Sequence, residues 1–313
     1  MFEPTGRGGG TAAARRWSWI RSITRGRDCQ TGPVTYPFLK GHGTENDFVL
    51  LPDHDGSVHG DLSAERVRAL CDRRAGIGAD GVLRVVRSSG SPLVAERPLR
   101  LARDREAHPT PEWFMDYRNA DGSVAEMCGN GIRVFAQHLY DEGLVPADEP
   151  VRIATRDGVK TVTRHGDLLR ADLGPATILG DTLVSVDDRS WPAIHVTMGN
   201  PHAVVMVDDL AEAGRLCDEP TYDVVRYPDG VNVEFVARLG ADHLAMRVHE
   251  RGSGETRSCG TGACAAAVAA APEGPGRWRV DVPGGTLEVT RDEEGRVHLG
   301  GPALIVACGE TDL

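Results

Sequence analysis

The sequence predicts an α+β fold built as two pseudo-symmetric domains. Three observations point to it. Its 313 residues, 40% of them hydrophobic, suit two domains of ordinary size better than one. Short alternating segments bounded by Gly, Pro and Asp turns outnumber helical stretches. A Cys-Gly-x-Gly helix opening occurs twice, as Cys128-Gly129-Asn130-Gly131 and as Cys259-Gly260-Thr261-Gly262.

Folded sequence begins near Tyr36, where YPFLKGHGTENDFVLLPD reads as strand, Gly-rich turn, strand. Ser63 can cap a helix running from Ala64 through Arg74, with Val67, Leu70 and Cys71 on one face. A GIGADG turn precedes a strand from Val82 to Arg87. Residues 88–111 are rich in Pro, Ser and charge and read as an inserted surface loop. A strand at Glu112–Arg118 leads to the loop NADGSVAEMCGNG, which opens a helix from Ile132 to Glu142 stopped by Gly143. Short strands with DG, HGD and GP turns fill Val151 to Pro175. Strands at Ile194–Met198 and Ala203–Val207 then flank GNPH, and further strands follow at Val231–Ala237 and Leu244–Val248. A helix over Ala263–Ala271 comes next, and hairpins turning at Pro283–Gly285 finish the chain.

The order of the first half recurs in the second. Asn119 lies nine residues before Cys128, and Glu250 lies nine before Cys259. Asn46 precedes Cys128 by 82 residues and Asn200 precedes Cys259 by 59, a difference close to the length of the 88–111 loop. Duplication with one insertion accounts for this. The expected layout is a disordered basic tail at 1–35, a first half at 36–174 to which 302–313 returns, and a second half at 175–301.

Composition narrows the chemistry. The net charge of −11 divides into a +4 tail and a −15 body, which argues against nucleic acid or an anionic membrane as partner. No run of about 18 apolar residues predicts a membrane span. The tail's Arg15-Arg16 lacks the apolar stretch of a twin-arginine signal, so disorder or an upstream start is expected there. Only Lys40 and Lys160 could serve Schiff-base chemistry. Seven cysteines in a chain of this length read as free thiols in a cytoplasmic protein. GIGADG matches the dinucleotide pattern formally, but it follows a helix and precedes a strand, the reverse of the required context.

A thiol at a helix N-terminus faces unpaired N–H groups and the positive end of the dipole, which lowers its pKa from about 8.5 towards neutrality. Flanking glycines admit a ligand to the backbone, and the same N–H groups can hold a carboxylate. Two such thiols facing each other could flank one carbon, one removing a proton as thiolate and the other delivering one as thiol. That pair would invert a stereocentre with no metal or organic cofactor. Single-site readings remain: either cysteine as a buried structural thiol, and Cys264, five residues after Cys259, as a zinc ligand or a core residue. No CxxC or HxxxH completes a zinc set near it, so Cys264 is expected in the core.

The segments HGTENDF, GIGADG, NADGSVAEMCGNGIR, MGNPH, VNVEF and ERGSGETRSCGTGACAAA together resemble the diaminopimelate epimerase family. The resemblance runs from Tyr36 to Val306. It implies two similar domains, each a mixed sheet curled round a central helix, with the site in the cleft. It also implies cofactor-independent interconversion of LL- and meso-2,6-diaminopimelate for lysine and peptidoglycan precursors, by a homodimer. Carried over by position, Cys128 and Cys259 are the acid/base pair. Gly129-Asn130 and Gly260-Thr261 hold the reacting carboxylate, while Asn46, Asn119, Asn200, Asn232 and Arg251 contact mostly the distal end. Glu250 touches substrate and tunes the cysteines, and His202 tunes them too.

Some positions depart from the family pattern. Glu45 stands where the family commonly has a glycine. Gly81 stands where many members have a substrate-binding glutamine, so that contact is either lost or made by backbone. Ala307 replaces a tyrosine that some members place in the dimer interface. Other readings stay open: a two-cysteine proline or hydroxyproline epimerase, a silent binding protein on the same scaffold, and a thiol redox or zinc protein. The first would not use the distal set Asn119, Asn200, Asn232 and Arg251.

Overall fold

The computed structural model describes residues 34–90, 110–271 and 273–313. Most of the expected tail, and residues 91–109 of the expected loop, lie outside them.

In the first half the strands are β1 (Tyr36–Gly43), β2 (Asn46–Pro52), β3 (Gly81–Arg87), β4 (Trp113–Asn119), β5 (Val151–Thr155), β6 (Gly158–His165) and β7 (Leu168–Pro175). Its helices are α1 (Ala64–Cys71) and α2 (Gly129–Asp141). β1 and β2 are antiparallel, β2 and β3 parallel, β3 and β4 antiparallel, β4 and β5 parallel, and β5, β6 and β7 antiparallel. The parallel steps require crossovers, which α1 and α2 supply.

The second half begins with the hairpin β8 (Thr177–Val186) and β9 (Arg189–Thr197). It continues with β10 (Pro201–Val207), β11 (Thr221–Tyr222), β12 (Asn232–Arg238), β13 (His243–Glu250) and β14 (Gly254–Thr256). Then come α3 (Gly260–Ala270), β15 (Gly276–Val282), β16 (Gly285–Arg291) and β17 (Arg296–Gly301). The pairing sequence of the first half repeats without change: β9 with β10 antiparallel, β10 with β12 parallel, β12 with β13 antiparallel, β13 with β15 parallel, then β15, β16 and β17 antiparallel. A 3-10 turn at Leu210–Ala213 stands in for α1, and α3 for α2. β7 pairs with β17 and joins the halves, and β18 (Leu304–Thr311) pairs with β1. Two similar domains result, each a mixed sheet curled round one helix.

Each central helix is buried on all sides, as a helix wrapped by a sheet must be. α2 touches β1, β2, β3, β4, β6, β7 and β18, while α3 touches β9, β10, β12, β13, β15, β16 and β17. α3 carries six alanines in eleven residues. Alanine favours helix and has a narrow cross-section, so the second sheet can close round it. α2 is bulkier and buries Arg133 completely. That guanidinium is satisfied by the carbonyls of Gly129 and Pro302 and by Asn130 Oδ1, tying α2 to the turn before β18.

Most elements fall where the sequence predicts, and the differences have local causes. α1 starts at the Ser63 cap, whose Oγ accepts from Arg66 N at 3.2 Å, but ends three residues early. Asp72 Oδ1 instead accepts from the amides of Arg74 and Ala75 and turns the chain. α2 and α3 each begin three residues earlier than predicted, because the Gly-x-Gly stretches are themselves the first helical turn. β8 was not predicted. Its first five residues are exposed, so it has no inward and outward alternation to read.

The turn joining β1 to β2 consists of Thr44 (φ 50°) and Glu45 (φ 63°), a two-residue loop with both residues left-handed. Non-glycine residues pay steric strain there. Contacts from the other half hold them: Thr44 Oγ1 lies 2.6 Å from Ser258 Oγ, and Glu45 pairs with Arg257. A Cβ on Gly284 would come within 1.9 Å of the Thr44 carbonyl oxygen, so only glycine permits this contact.

Candidate active site

Cys128 is the N-cap of α2 and Cys259 the N-cap of α3. Both have extended backbone, and both sulfurs accept from the amide three residues on, Gly131 N at 3.3 Å and Gly262 N at 3.4 Å. Each thiol therefore occupies the place of an ordinary Ser or Asp cap. The two helix starts abut. A Cβ on Gly129 would lie 3.4 Å from Gly260 Cα, and one on Gly260 would lie 3.1 Å from Asn130 N and 2.7 Å from Leu299. Glycine at both positions lets the two N-termini meet in one cleft of ≈ 680 Å³, counting its open mouth.

The halves are stitched together directly beneath this point. Asn130, fully buried, donates to the Ser258 carbonyl and hydroxyl at 3.1 Å each and to Asn46 Oδ1 at 3.2 Å. Asn46 Nδ2 in turn donates to Asp80 Oδ2 at 2.8 Å, which fixes its amide so that Oδ1 faces the Cys128 thiol at 3.7 Å. In the second half Asn200 is fixed from behind by the buried pair His202–Glu234, and it donates to Thr261 Oγ1 at 3.3 Å.

Among the residues singled out in the sequence, Asn46, Asn119, Cys128, Gly129, Asn200, Asn232, Glu250, Arg251, Cys259, Gly260 and Thr261 all line the cleft. Three do not. Asn130 forms the bridge beneath it, His202 lies behind Asn200, and Gly81 is covered by the ring of Tyr117. The asparagine amides are oriented by the protein itself: Asn119 Nδ2 donates to Ser123 Oγ, and Asn232 joins the Pro201 carbonyl to the Arg251 amide. Each NH₂ keeps a second N–H, so each can still donate to a ligand. Arg251 is exposed, with one nitrogen on the Asp229 carbonyl. Cys71 and Cys264 are buried in helix faces, and no cluster of three or more His, Cys, Asp or Glu among the described residues could hold a metal ion.

Sequence reasoning missed several residues of the site. Tyr117 and Asp157 line the cleft, and Ser258, Asp80, Glu234 and Arg133 hold its walls. Part of the signal was local, since Ser258 directly precedes Cys259 and Asp80 directly precedes Gly81. Glu234 gave none, because a charged residue in a strand reads as solvated.

The electrostatics differ from those expected of a helix-capping thiol. Burial pushes Cys128 up to about 12, against the pull of the Gly131 and Asn130 amides. It pushes Cys259 well above the ordinary thiol value too, and the charges of Glu250 and Glu234 add to this. The helix N–H groups act in the expected direction, but desolvation outweighs them. Burial also raises Glu250 to about 7, against the Thr256 hydroxyl that donates to it. The site thus holds two protonated thiols beside a carboxyl poised near neutrality.

The family model for diaminopimelate epimerase matches residues 38–179 and 194–305. The diaminopimelate epimerase of Streptomyces coelicolor is 54% identical over 288 residues, covering 88% of this chain and 95% of that protein. That of Corynebacterium glutamicum is 46% identical, covering 90% and 99%. Among solved structures, a PhzF-family phenazine biosynthesis protein from Bacillus anthracis aligns with a TM-score of 0.61 at 15% identity, covering 89% of this chain and 99% of its own. A hydroxyproline epimerase from Agrobacterium vitis aligns at 0.59 and 13%, covering 88% and 92%. These two share the fold, whereas the family model and the close relatives carry the lineage: the chain belongs to the diaminopimelate epimerase family.

Proposed function

We propose that this protein interconverts LL- and meso-2,6-diaminopimelate, with Cys128 and Cys259 as the two bases, in lysine and peptidoglycan-precursor synthesis. The observation that carries the reading is the pair of thiols capping two helices whose glycine N-termini abut in one cleft. A thiolate on one side takes the α-proton, and the thiol on the other side delivers a proton to the opposite face. The sulfurs exchange roles in the reverse direction, so no net proton is consumed. Glu250, near neutrality and beside Cys259, is placed to accept that thiol's proton. The substrate's own ammonium group adds positive charge beside the buried thiolate.

The backbone amides of Gly129, Asn130, Gly260 and Thr261 hold the reacting carboxylate and the charge that develops on it. Asn46, Asn119, Asn200, Asn232 and Arg251 receive the distal amino-acid end, where a guanidinium and oriented amides suit a carboxylate. His202 and Glu250 tune the thiols. The reading calls for neither metal nor organic cofactor, and it takes the protein as a cytoplasmic homodimer. A proline or hydroxyproline epimerase would leave Asn119, Asn200, Asn232 and Arg251 without a ligand group.

The test is incubation with LL-diaminopimelate in D₂O under reducing conditions. Conversion to the meso form with deuterium at one α-carbon is the expected result. Exchange into proline but not into diaminopimelate overturns the reading.

A further inference from the structure

The repeat places Gly81 and Asn232 at equivalent positions. Gly81 opens β3 opposite Asn119, while Asn232 opens β12 beside the Val233–His249 pair and so faces Glu250. In the second half this position gives the cleft a hydrogen-bonding side chain. In the first half it has no side chain at all.

The space is filled from the neighbouring strand. A Cβ built on Gly81 would lie 2.7 Å from Tyr117 Cε2, 3.5 Å from Tyr117 Oη and 2.6 Å from the Arg118 carbonyl oxygen. Tyr117 therefore stands where a residue-81 side chain would enter the cleft, and the glycine is what admits it. Its ring packs edge-on to Phe48 at 6.0 Å and 78°, which holds its direction. The residue is 8% exposed and lines the cleft beside Asn119 and Cys128. Its hydroxyl makes no hydrogen bond to any described residue. The hydroxyl keeps accessible surface in the cleft, so a ligand seated there can accept from it. Burial and the surrounding acids hold it well above its ordinary pKa, so it stays a neutral donor.

We propose that Tyr117 Oη is a substrate-binding donor that takes over the role of a side chain at position 81, giving one hydrogen bond to the carboxylate at the non-reacting end of the substrate. The reacting carboxylate already has the helix-start amides. Tyr117 stands with Asn119 and Gly81 at the strand ends, on the side assigned to the distal end. The inference rests on the diaminopimelate reading above and sharpens it. Recognition on the first-half wall passes from residue 81 to residue 117, and Gly81 and Tyr117 form one unit.

The experiment is steady-state kinetics of the full chain and of Tyr117→Phe with LL-diaminopimelate, with a thermal melt of each. The variant keeps the ring and its contact with Phe48, so it should melt no lower than the parent. KM should rise about tenfold, the usual scale for one hydrogen bond to a charged group, with kcat within about twofold. A variant KM within about twofold of an active parent overturns the inference, whatever happens to kcat, and leaves the diaminopimelate reading standing. A parent that does not turn over diaminopimelate overturns both. In Gly81→Ala the new methyl drives against the Tyr117 ring, and KM should rise in the same direction; an unchanged KM there also counts against the coupling of the two residues.

Discussion

His202 Nδ1 lies 2.7 Å from Glu234 Oε1, and neither side chain has any exposed surface. From this pair a chain of contacts runs to the second thiol. His202 Nε2 donates to Asn200 Oδ1 at 3.1 Å, Asn200 Nδ2 donates to Thr261 Oγ1 at 3.3 Å, and that hydroxyl lies 3.6 Å from Cys259 Sγ. A carboxyl buried out of reach of substrate thus sets the direction of every hydrogen bond up to the α3 cap. The first half does the same in one step, through Asp80 and Asn46.

Replacing Glu234 by Gln tests this orientation. A glutamine amide can present either its oxygen or its NH₂ to His202 Nδ1, so the ring's donor and acceptor sides are no longer set by an acid and Asn200 loses its single orientation. Glu234→Gln should fold and lose about ten- to a hundredfold in kcat/KM. Steady-state kinetics with circular dichroism decide it, and near-parental kinetics would show that the chain does not orient Asn200.

The thiols should be separable by exchange. In Cys259→Ser, Cys128 can still take the α-proton that faces it and return a solvent deuteron to the same face, without inversion. Each single serine variant should therefore lose at least about a thousandfold in epimerisation. Each should keep measurable deuterium wash-in with one isomer, and the isomer should differ between the two variants. Proton NMR of LL- and meso-diaminopimelate in D₂O reads both. Full turnover by either variant would remove the two-base mechanism.

Much of this site is written in the sequence because duplication prints it twice. Cys128 and Cys259, with Asn119 and Glu250 nine residues before them, mark the same point of the fold, so the thiols, the helix starts and the cleft could be read together. What could not be read is whatever depends on burial. Position predicts depressed thiol pKa values, yet burial raises them. The strained Thr44–Glu45 turn lacks its local glycine signal, because the contacts that hold it come from Ser258 and Arg257, more than 200 residues away. Tyr117 escaped notice for a similar reason, since the residue it replaces lies on another strand.

Glu250 should trade stability for activity. Its folded-state pKa of about 7 lies above the ordinary 4.5, so its favourable contribution is complete below about pH 4.5 and is lost as pH rises through 7. Above neutrality the buried carboxylate works against the fold. Glu250→Gln should melt several degrees higher than the parent at pH 8.5, should match it near pH 4.5, and should have almost no epimerase activity. Scanning calorimetry at the two pH values checks this. An equal Tm difference at both would mean that the carboxyl does not titrate between them.

Acid sensitivity should centre on His138. It lies inside α2 at 1% exposure, its ring 6.4 Å from that of His54, and neither of its nitrogens has a hydrogen-bond partner among the described residues. Burial, then the charge of His54, pushes it down to about 3. A depressed histidine leaves stability whole above the unfolded value of about 6.5, and the loss grows as pH falls towards the folded value. Over that window the unfolded chain gains a proton that the folded chain refuses, at about 1.4 kcal/mol per pH unit. His59, 6% exposed and pushed down to about 4 by burial and the nearby Arg66, adds a second step of the same sign. His138→Leu removes the larger step along with two unpaired ring nitrogens. It should therefore equal or exceed the parent in stability at pH 7 and gain on it by about 2–3 kcal/mol at pH 4.5. Urea titrations across this range measure the difference directly, and a variant whose stability falls with pH as steeply as the parent's would place the acid-sensitive group elsewhere.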